Sequence, residues 1–396
     1  MNHSLKKSYD FLIIGAGPGG LIAALNLLKS SSPYSIALLD RRDPWEEPVA
    51  CAEAVHKQGL ISLVPKVEKG WIREEVDGVI FVAPDGTEVK FVQKASGVLI
   101  DRALMHKNLA EECERGGVHC HFRSRVRSVS EYNGEFRTVK YDGEHAGEIK
   151  ARVVIDCSGP GVGFGQQEKI VQGNLDLEPA LFALVKGIKF PTNYIQMFFG
   201  KCYAPGGYAW LFPRDKEVAN VGIVIGKKYT RSCPPRRALL DFIKTTYPEA
   251  EILTIKGGGI ACGHSKEDFA VQNMFKVGDA ANMVSPISRA GILEAMLGGK
   301  LAAEAALKII ELKEEQDKIP FYQEYKKKWE EKYGLENQKM AKGKEGFNRI
   351  SDNTFNRAAH RLQKIPQEKL TMGRIAWATL LSNPFILWHL RGLLKG

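Results

Sequence analysis

The seven cysteines of this 396-residue chain, Cys51, Cys113, Cys120, Cys157, Cys202, Cys233 and Cys262, show no paired spacing. That excludes a cysteine-based metal site and a disulfide framework, and it fits a reducing, cytoplasmic setting. No metal ligand set is expected. No uninterrupted apolar run reaches the roughly 20 residues that a membrane-crossing helix needs. The short apolar run behind Lys6 and Lys7 resembles a signal peptide only superficially, because it continues directly into glycines. Helix-turn-helix, zinc and RNA-binding signatures are missing, so the net charge of +10 and the pI near 9.1 do not point to nucleic acid. An anionic membrane surface is the better match. The chain carries no internal repeat. Its length exceeds what one hydrophobic core usually supports, and 44% hydrophobic with 26% charged residues is ordinary for a globular protein.

What is present begins at Phe11 to Ile14, four apolar residues that read as a short buried strand. Gly15-Ala16-Gly17 and then Gly20 let the backbone turn tightly, approach a pyrophosphate and open a helix from Leu21 to Lys29 whose first amides face phosphate. A second strand, Ser35 to Leu39, ends in Asp40, twenty positions after Gly20. A carboxylate there accepts hydrogen bonds from ribose hydroxyls. Far downstream stands Lys276-Val277-Gly278-Asp279-Ala280-Ala281-Asn282, followed by Pro286 and by Gly291-Ile292. A flavin dinucleotide needs such elements at both of its ends. Together they read as FAD.

Between these elements the chain leaves the nucleotide fold and returns to it. Val76 to Gln93 reads as two strands around the turn Pro84-Asp85-Gly86, and Leu99 to Gly117 as a helix. Alternating segments lead to a buried strand, Ala151 to Ile155, ending at Asp156-Cys157-Ser158-Gly159. From about Leu181 to Ile260 the pattern is strand-rich, and Ile292 to Ile309 is a helix. The expected fold class is α/β: a Rossmann-like FAD-binding domain with an inserted β-rich substrate domain and a C-terminal helical region. The FAD-binding domain takes residues 1–75, 95–180 and 270–310, the substrate domain 76–94 and 181–269, and the helical region 311–396. No second strand-glycine-helix unit exists for a fixed nicotinamide, so NAD(P)H visits transiently or another donor, such as ferredoxin or a deazaflavin, brings the electrons.

The segment Arg374 to Leu394 carries Trp377 and Trp388, a Ser382-Asn383-Pro384 break and flanking cations. Two readings stand. It is an interfacial helix pair lying on the inner face of the cell membrane, or a helical cap on the protein's own core.

Three further motifs carry a family resemblance. Pro48-Val49-Ala50-Cys51-Ala52-Glu53-Ala54 is similar to a Cys-Gly-Glu-Gly loop, Tyr208-Ala209-Trp210-Leu211-Phe212-Pro213 matches a Tyr-x-Trp-x-Phe-Pro signature, and the Gly278-Asp279 element completes the set. From about Tyr9 to Leu307 the chain resembles the geranylgeranyl reductase family of flavoproteins, within the p-hydroxybenzoate hydroxylase-like fold, and especially the archaeal-type reductases that saturate isoprenoid chains. The resemblance implies hydride delivery from reduced flavin to one carbon of an alkene and a proton to the other. It implies that Gly15, Ala16, Gly17 and Gly20 serve the pyrophosphate and Asp40 the ribose. Cys51, Ala52 and Ala54 then lie along the ring system, with Cys51 either a proton donor or a small residue beside the flavin. Arg102 is implied on the ribose-pyrophosphate side, Val126 at the adenine, Asp279 at the ribityl chain, and Gly291 and Ile292 at the pyrimidine edge. Tyr208, Trp210, Phe212 and Pro213 are implied as the apolar wall for a long chain.

The chain also departs from the family pattern. Pro286-Ile287-Ser288-Arg289-Ala290-Gly291-Ile292 stands where these reductases carry a glycine-rich loop, and Ala52 and Ala54 replace glycines. Arg289 is thus a candidate for recognising an anionic headgroup, carboxylate or carrier-bound substrate. The leading expectation is an FAD-dependent reductase of isoprenoid double bonds on a lipid or quinone-like molecule. The alternatives are an FAD-dependent monooxygenase or halogenase of the same fold, acting on an aromatic or carrier-bound substrate, and a non-catalytic membrane-docking flavoprotein.

Overall fold

In the computed structural model the described residues are 6–47, 49–144, 146–160, 164, 176–264, 267–371 and 373–375. The remainder of the Arg374–Leu394 segment, from residue 376 onward, lies outside them. Among the described residues no helix is long and apolar enough to cross a membrane.

The chain runs β1 (Ser8–Ile14), α1 (Pro18–Leu27), β2 (Ile36–Leu39), β3 (Ala54–His56), α2 (Lys57–Leu63), β4 (Ile72–Val82), β5 (Glu88–Ile100) and α3 (Arg102–Arg115). It continues through β6 (His119–His121), β7 (Ser124–Val129), β8 (Arg137–Gly143), β9 (Gly147–Asp156), β10 (Leu177–Lys186), β11 (Ile195–Phe198), β12 (Tyr208–Pro213) and β13 (Ala219–Val224). Then come α4 (Pro235–Thr246), β14 (Glu251–Ala261), β15 (Ala270–Val271), β16 (Met274–Lys276), α5 (Ile292–Ile309), α6 (Glu315–Trp329), α7 (Leu335–Arg349) and α8 (Asp352–Gln363). One π turn, Glu330–Gly334, joins α6 to α7.

Two sheets organise these elements. The first has the path β15-β16-β9-β1-β2-β6, with β1 parallel to both β2 and β9, and β7–β8 added antiparallel beside β9. Strand β1 is buried on both faces, which is why its apolar residues run without alternation. Phe11 and Ile13 pack toward α1, α3 and α5, while Leu12 and Ile14 face the β7–β8 hairpin. Tyr322, Tyr325 and Trp329 of α6 are buried in the same core as Phe11, so α6 is fixed to the first sheet by aromatic packing, while Ala359 and Leu362 of α8 pack on Val89 of the second sheet.

The second sheet runs β14-β10-β13-β12-β11-β4-β5-β3 and is antiparallel except between β11 and β4. Its two faces separate by strand alternation. Ala209, Leu211, Val221 and Ile223 pack under Leu239, Phe242 and Ile243 of α4. Tyr208, Trp210 and Phe212 point the other way, together with Phe182, Val224, Leu99 and Val76. Pro213 follows Phe212 on β12 and by the same alternation belongs to the α4 face. It therefore does not share the aromatic wall expected of it, a correction that the period of two forces.

Candidate functional site

The glycine turn between β1 and α1 is shaped for close backbone approach. A Cβ on Gly15, whose φ is +100°, would lie 2.3 Å from the carbonyl oxygen of Cys157, and one on Gly20 would lie 1.9 Å from that of Gly15. Gly17 differs: nothing lies within 4 Å of the place its Cβ would take. As the N-cap of α1 it has no side-chain cap, Pro18 follows it, and no acid sits in the first turn. The helix opens toward free space with its amides uncapped, the arrangement an anionic diphosphate fits. Asp40 closes the turn. Its Oδ2 accepts the amide of Ala16 at 2.7 Å and its Oδ1 the amide of Arg42 at 2.9 Å. Burial pushes its carboxyl up, and those two amides pull it back.

The cysteine loop is built from backbone bonds. Cys51 Sγ accepts the amide of Glu53 at 3.2 Å, and Glu53 itself takes φ +66°. The Glu53 carboxylate is buried, accepts the amide of Arg102 at 3.0 Å and lies 3.6 Å from the Arg214 guanidinium. Burial raises its pKa, and Arg214 counters most strongly. Arg102 opens α3 behind the N-cap Asp101. Its Nε donates to His106 Nε2 at 3.3 Å, while His106 Nδ1 lies 2.9 Å from the carbonyl oxygen of Pro44. Burial holds His106 down at about 3, with the Arg102 charge adding to the effect. The imidazole is therefore neutral, donates from Nδ1 to Pro44 and accepts at Nε2 from Arg102.

Arg102 also bears on Asp279, so three separated sequence elements meet at one cation. Burial pushes the Asp279 carboxyl up, and the amide of Ala261 and the charge of Arg102 pull it down. Beside it Asn282 takes φ +53°, and both polar atoms of its buried side chain are without partners among the described residues. A buried amide with nothing to bind is the mark of a place completed by another molecule. The N-cap of α5, Gly291, again has no side-chain cap. Val126 lies on β7 opposite Tyr141, buried against the first sheet.

The aromatic wall and the cysteine loop form one apolar cluster: Tyr208, Trp210 and Phe212 share it with Ala52 and Ala54. Trp210 lies flat on Gly222, where a Cβ would come within 2.1 Å of the indole. Its Nε1 donates to Asn220 Oδ1 at 2.9 Å, and Asn220 Nδ2 donates to the carbonyl oxygen of Cys51 at 3.0 Å. Burial raises Tyr208 to about 12, and its hydroxyl donates to the carbonyl oxygen of Ser288 at 2.6 Å. The wall thus touches the cysteine loop on one side and the loop before α5 on the other.

Arg289 is not presented to a ligand. In a left-handed backbone conformation, φ +60°, it donates from Nε and Nη2 to Glu178 Oε2 at 3.0 and 2.8 Å, and to the carbonyl oxygens of Gly206 and Ile287. Its guanidinium covers the Tyr208 ring at 5.1 Å. Glu178 Oε1 in turn lies 2.9 Å from Lys344 Nζ, which also meets Asp176 at 2.6 Å. The expectation of headgroup recognition is corrected: a buried guanidinium needs a full set of acceptors, and Glu178 with two carbonyls supplies it.

With this geometry in view, the comparisons with known proteins are specific. The family model described as the geranylgeranyl reductase catalytic domain matches residues 176–260, the region of β10 to β14 that carries the aromatic wall, and the lycopene cyclase model matches residues 10–178. A digeranylgeranylglycerophospholipid reductase of Methanosarcina mazei is 31% identical over 402 aligned positions, covering 99% of this chain and 97% of that protein. The chain belongs to the geranylgeranyl reductase family. Its fold is shared with a geranylgeranyl bacteriochlorophyll reductase-like protein of Thermoplasma acidophilum, at a TM-score of 0.87, 24% identity and coverage of 98% and 99% of the two chains. A flavin-dependent halogenase, CmlS, shares it more distantly, with a TM-score of 0.67, 17% identity and coverage of 96% and 71%. As a family member the chain is an oxidoreductase.

Among the residues that shape this site, sequence reasoning overlooked Glu53, His106, Glu178 and Asn220. A signal existed for His106, which follows Arg102 by one helical turn, and for Glu53, which stands inside the cysteine motif. Asn220 and Glu178 gain their partners only through the pairing of the second sheet and the return of the chain to the first.

Proposed function

We propose that the protein saturates C=C bonds in the isoprenoid chains of a lipid precursor, with FAD as its bound cofactor. The observation that carries this reading is the apolar face of Tyr208, Trp210 and Phe212 packed against the cysteine loop, whose Glu53 accepts the amide of Arg102. An alkene chain has nothing to hydrogen-bond, so it is recognised by apolar surface and by exclusion of water. The name of the Methanosarcina mazei relative, which specifies digeranylgeranylglycerophospholipid, supports the same substrate class.

The residues present suit FAD. Gly15, Ala16, Gly17 and Gly20 would hold the diphosphate on the uncapped amides of α1, with Arg102 beside it; Asp40 and Val126 would hold the adenosine part. Asp279 would bind the ribityl chain, Gly291 and Ile292 the pyrimidine edge, and Cys51, Ala52 and Ala54 the ring flank. When bound, FAD supplies the hydride. Everything else falls to side chains. Tyr208, Trp210 and Phe212 align the chain and keep water out, Asn220 fixes the cysteine loop against Trp210, and the Cys51 thiol holds a proton at the edge of the wall. The uncapped N-terminus of α5 favours negative charge where it points.

The test is anaerobic turnover of the flavin-loaded protein with a geranylgeranyl lipid. Hydrogenated lipid without oxygen supports the proposal. Product formed only with oxygen and an aromatic or carrier-bound substrate would move the assignment to the monooxygenase or halogenase reading, which the shared fold keeps as the second choice.

A further inference from the structure

The aromatic wall does not end at Phe212. Arg214 follows it by two residues, and the Arg214 amide carries the β12–β13 hairpin on to the carbonyl oxygen of Val218 at 2.8 Å, so alternation puts this side chain on the face of Tyr208, Trp210 and Phe212. From Tyr208 to Arg214 that face is roughly 20 Å long. The Tyr208 hydroxyl marks one end, at the carbonyl oxygen of Ser288, and a charged cluster marks the other. There Glu47 stands between two guanidinium groups: its Oε2 accepts from Arg214 Nη2 at 2.7 Å, and its Oε1 lies 3.5 Å from Arg73 Nη2. The same Arg73 nitrogen donates to Asp101 Oδ2 at 2.6 Å, while Arg73 Nε is buried with no partner among the described residues. Arg214 also lies 3.6 Å from the buried Glu53. The Arg73 and Arg214 side chains are only 22% and 10% exposed, whereas Glu47 is 48% exposed and faces solvent more than either other acid.

A guanidinium is a planar fork of five donors that matches the oxygens of a phosphate. A phosphate brings three acceptor oxygens and more charge than one carboxylate, so it suits this pair, with its unused Arg73 Nε, better than Glu47 does. Releasing Glu47 costs little, because a half-exposed carboxylate regains water. The other two acids are tied to backbone and stay: Asp101 accepts the amide of Leu104 at 2.9 Å, and Glu53 that of Arg102 at 3.0 Å. We infer that Arg73 and Arg214 bind the phosphate end of an isoprenoid lipid whose chain lies along the wall, and that Glu47 occupies this site until the phosphate displaces it. The inference rests on the proposed isoprenoid reading of the wall. The cofactor's own diphosphate has the uncapped amides of α1, so the lipid is the source assigned here.

Calorimetry on the oxidised, flavin-loaded full chain tests this without turnover, with geranylgeranyl phosphate and uncharged geranylgeraniol as the two probes. Arg73→Gln and Arg214→Gln are each expected to weaken the phosphate about tenfold and to leave the alcohol unchanged. Glu47→Gln, at an exposed position, is expected to tighten the phosphate severalfold and leave the alcohol unchanged, a gain that a damaged fold does not give. FAD affinity of the apoprotein should be the same in all three variants. Phosphate and alcohol responding alike, or a Glu47→Gln variant that does not tighten the phosphate, makes the cluster a surface ion pair only and overturns the proposal. A loss of FAD affinity in either arginine variant assigns the pair to the cofactor's diphosphate and overturns it as well. Lipid reduction without the arginine-dependent preference for phosphate sinks this inference alone. That preference without lipid reduction sinks the proposed reaction and leaves the phosphate site standing.

Discussion

Trp210 and Cys51 are coupled through a single side chain: Asn220 accepts the indole N–H at 2.9 Å and donates to the cysteine carbonyl at 3.0 Å. The aromatic wall and the cysteine loop are therefore not independent. One amide bridges the indole of the wall and the backbone of the cysteine loop.

Replacing Asn220 separates the two bonds. Asn220→Asp keeps an acceptor for Trp210 but loses the donor to Cys51, whereas Asn220→Ala loses both and leaves the indole N–H buried without a partner. The alanine variant is expected to lose about 1–3 kcal/mol of stability, read by thermal unfolding. The aspartate variant is expected to lose less stability but as much reductive activity.

His106 holds Arg102 through a neutral ring. His106→Leu removes the acceptor at Nε2 and frees the guanidinium, so flavin affinity is expected to fall about tenfold, the effect of roughly 1.4 kcal/mol. Fluorescence titration of the apoprotein measures it. An unchanged dissociation constant would show that Arg102 finds its place without the histidine.

The glycine turn, Asp40, the Gly278-Asp279 element and the aromatic strand were legible in the chain because each is a local pattern with a local cause. Strand β1 needs only its own apolar run, and Gly15 only its own φ. Helix α5 likewise begins and ends at the residues expected, Ile292 and Ile309. What could not be read depends on distant partners. Arg289 looked like a free cation because Glu178 is 111 positions away, and Pro213 was grouped with its neighbours because a motif does not display the alternation that separates them. Helix α4 was hidden inside a strand-rich stretch, although its Pro234-Pro235 start is a good helix opening.

Arg289 is accordingly expected to matter for stability rather than for headgroup affinity. Arg289→Met leaves Glu178 with Lys344 as its remaining cation, and a loss of about 2–4 kcal/mol is expected in chemical denaturation. The affinity for vesicles carrying anionic headgroups should not change. A stable variant with weakened vesicle binding would restore the recognition role.

Two buried groups tilt stability in opposite directions below neutrality. The Glu294 pKa is raised by burial to about 7, so between its unfolded value and about 7 the folded state binds the extra proton, and stability falls as pH rises through that window, by on the order of 3 kcal/mol. The His106 pKa is lowered to about 3, so below about 6.5 the unfolded state binds the extra proton and stability falls as pH drops. Thermal unfolding should show Glu294→Gln removing the fall in stability between about pH 4.5 and 7 and His106→Leu removing the fall below about 6.5.

The most direct test of the central claim is a single anaerobic experiment. The flavin-loaded protein is reduced with dithionite and mixed with a geranylgeranyl lipid, and flavin absorbance is followed while the lipid is weighed by mass spectrometry. Reoxidation of the flavin matched by a gain of about 2 Da for each bond reduced is the predicted result. A flavin that stays reduced beside an unchanged lipid, yet reoxidises at once with oxygen and an aromatic or carrier-bound substrate to give product, would contradict it.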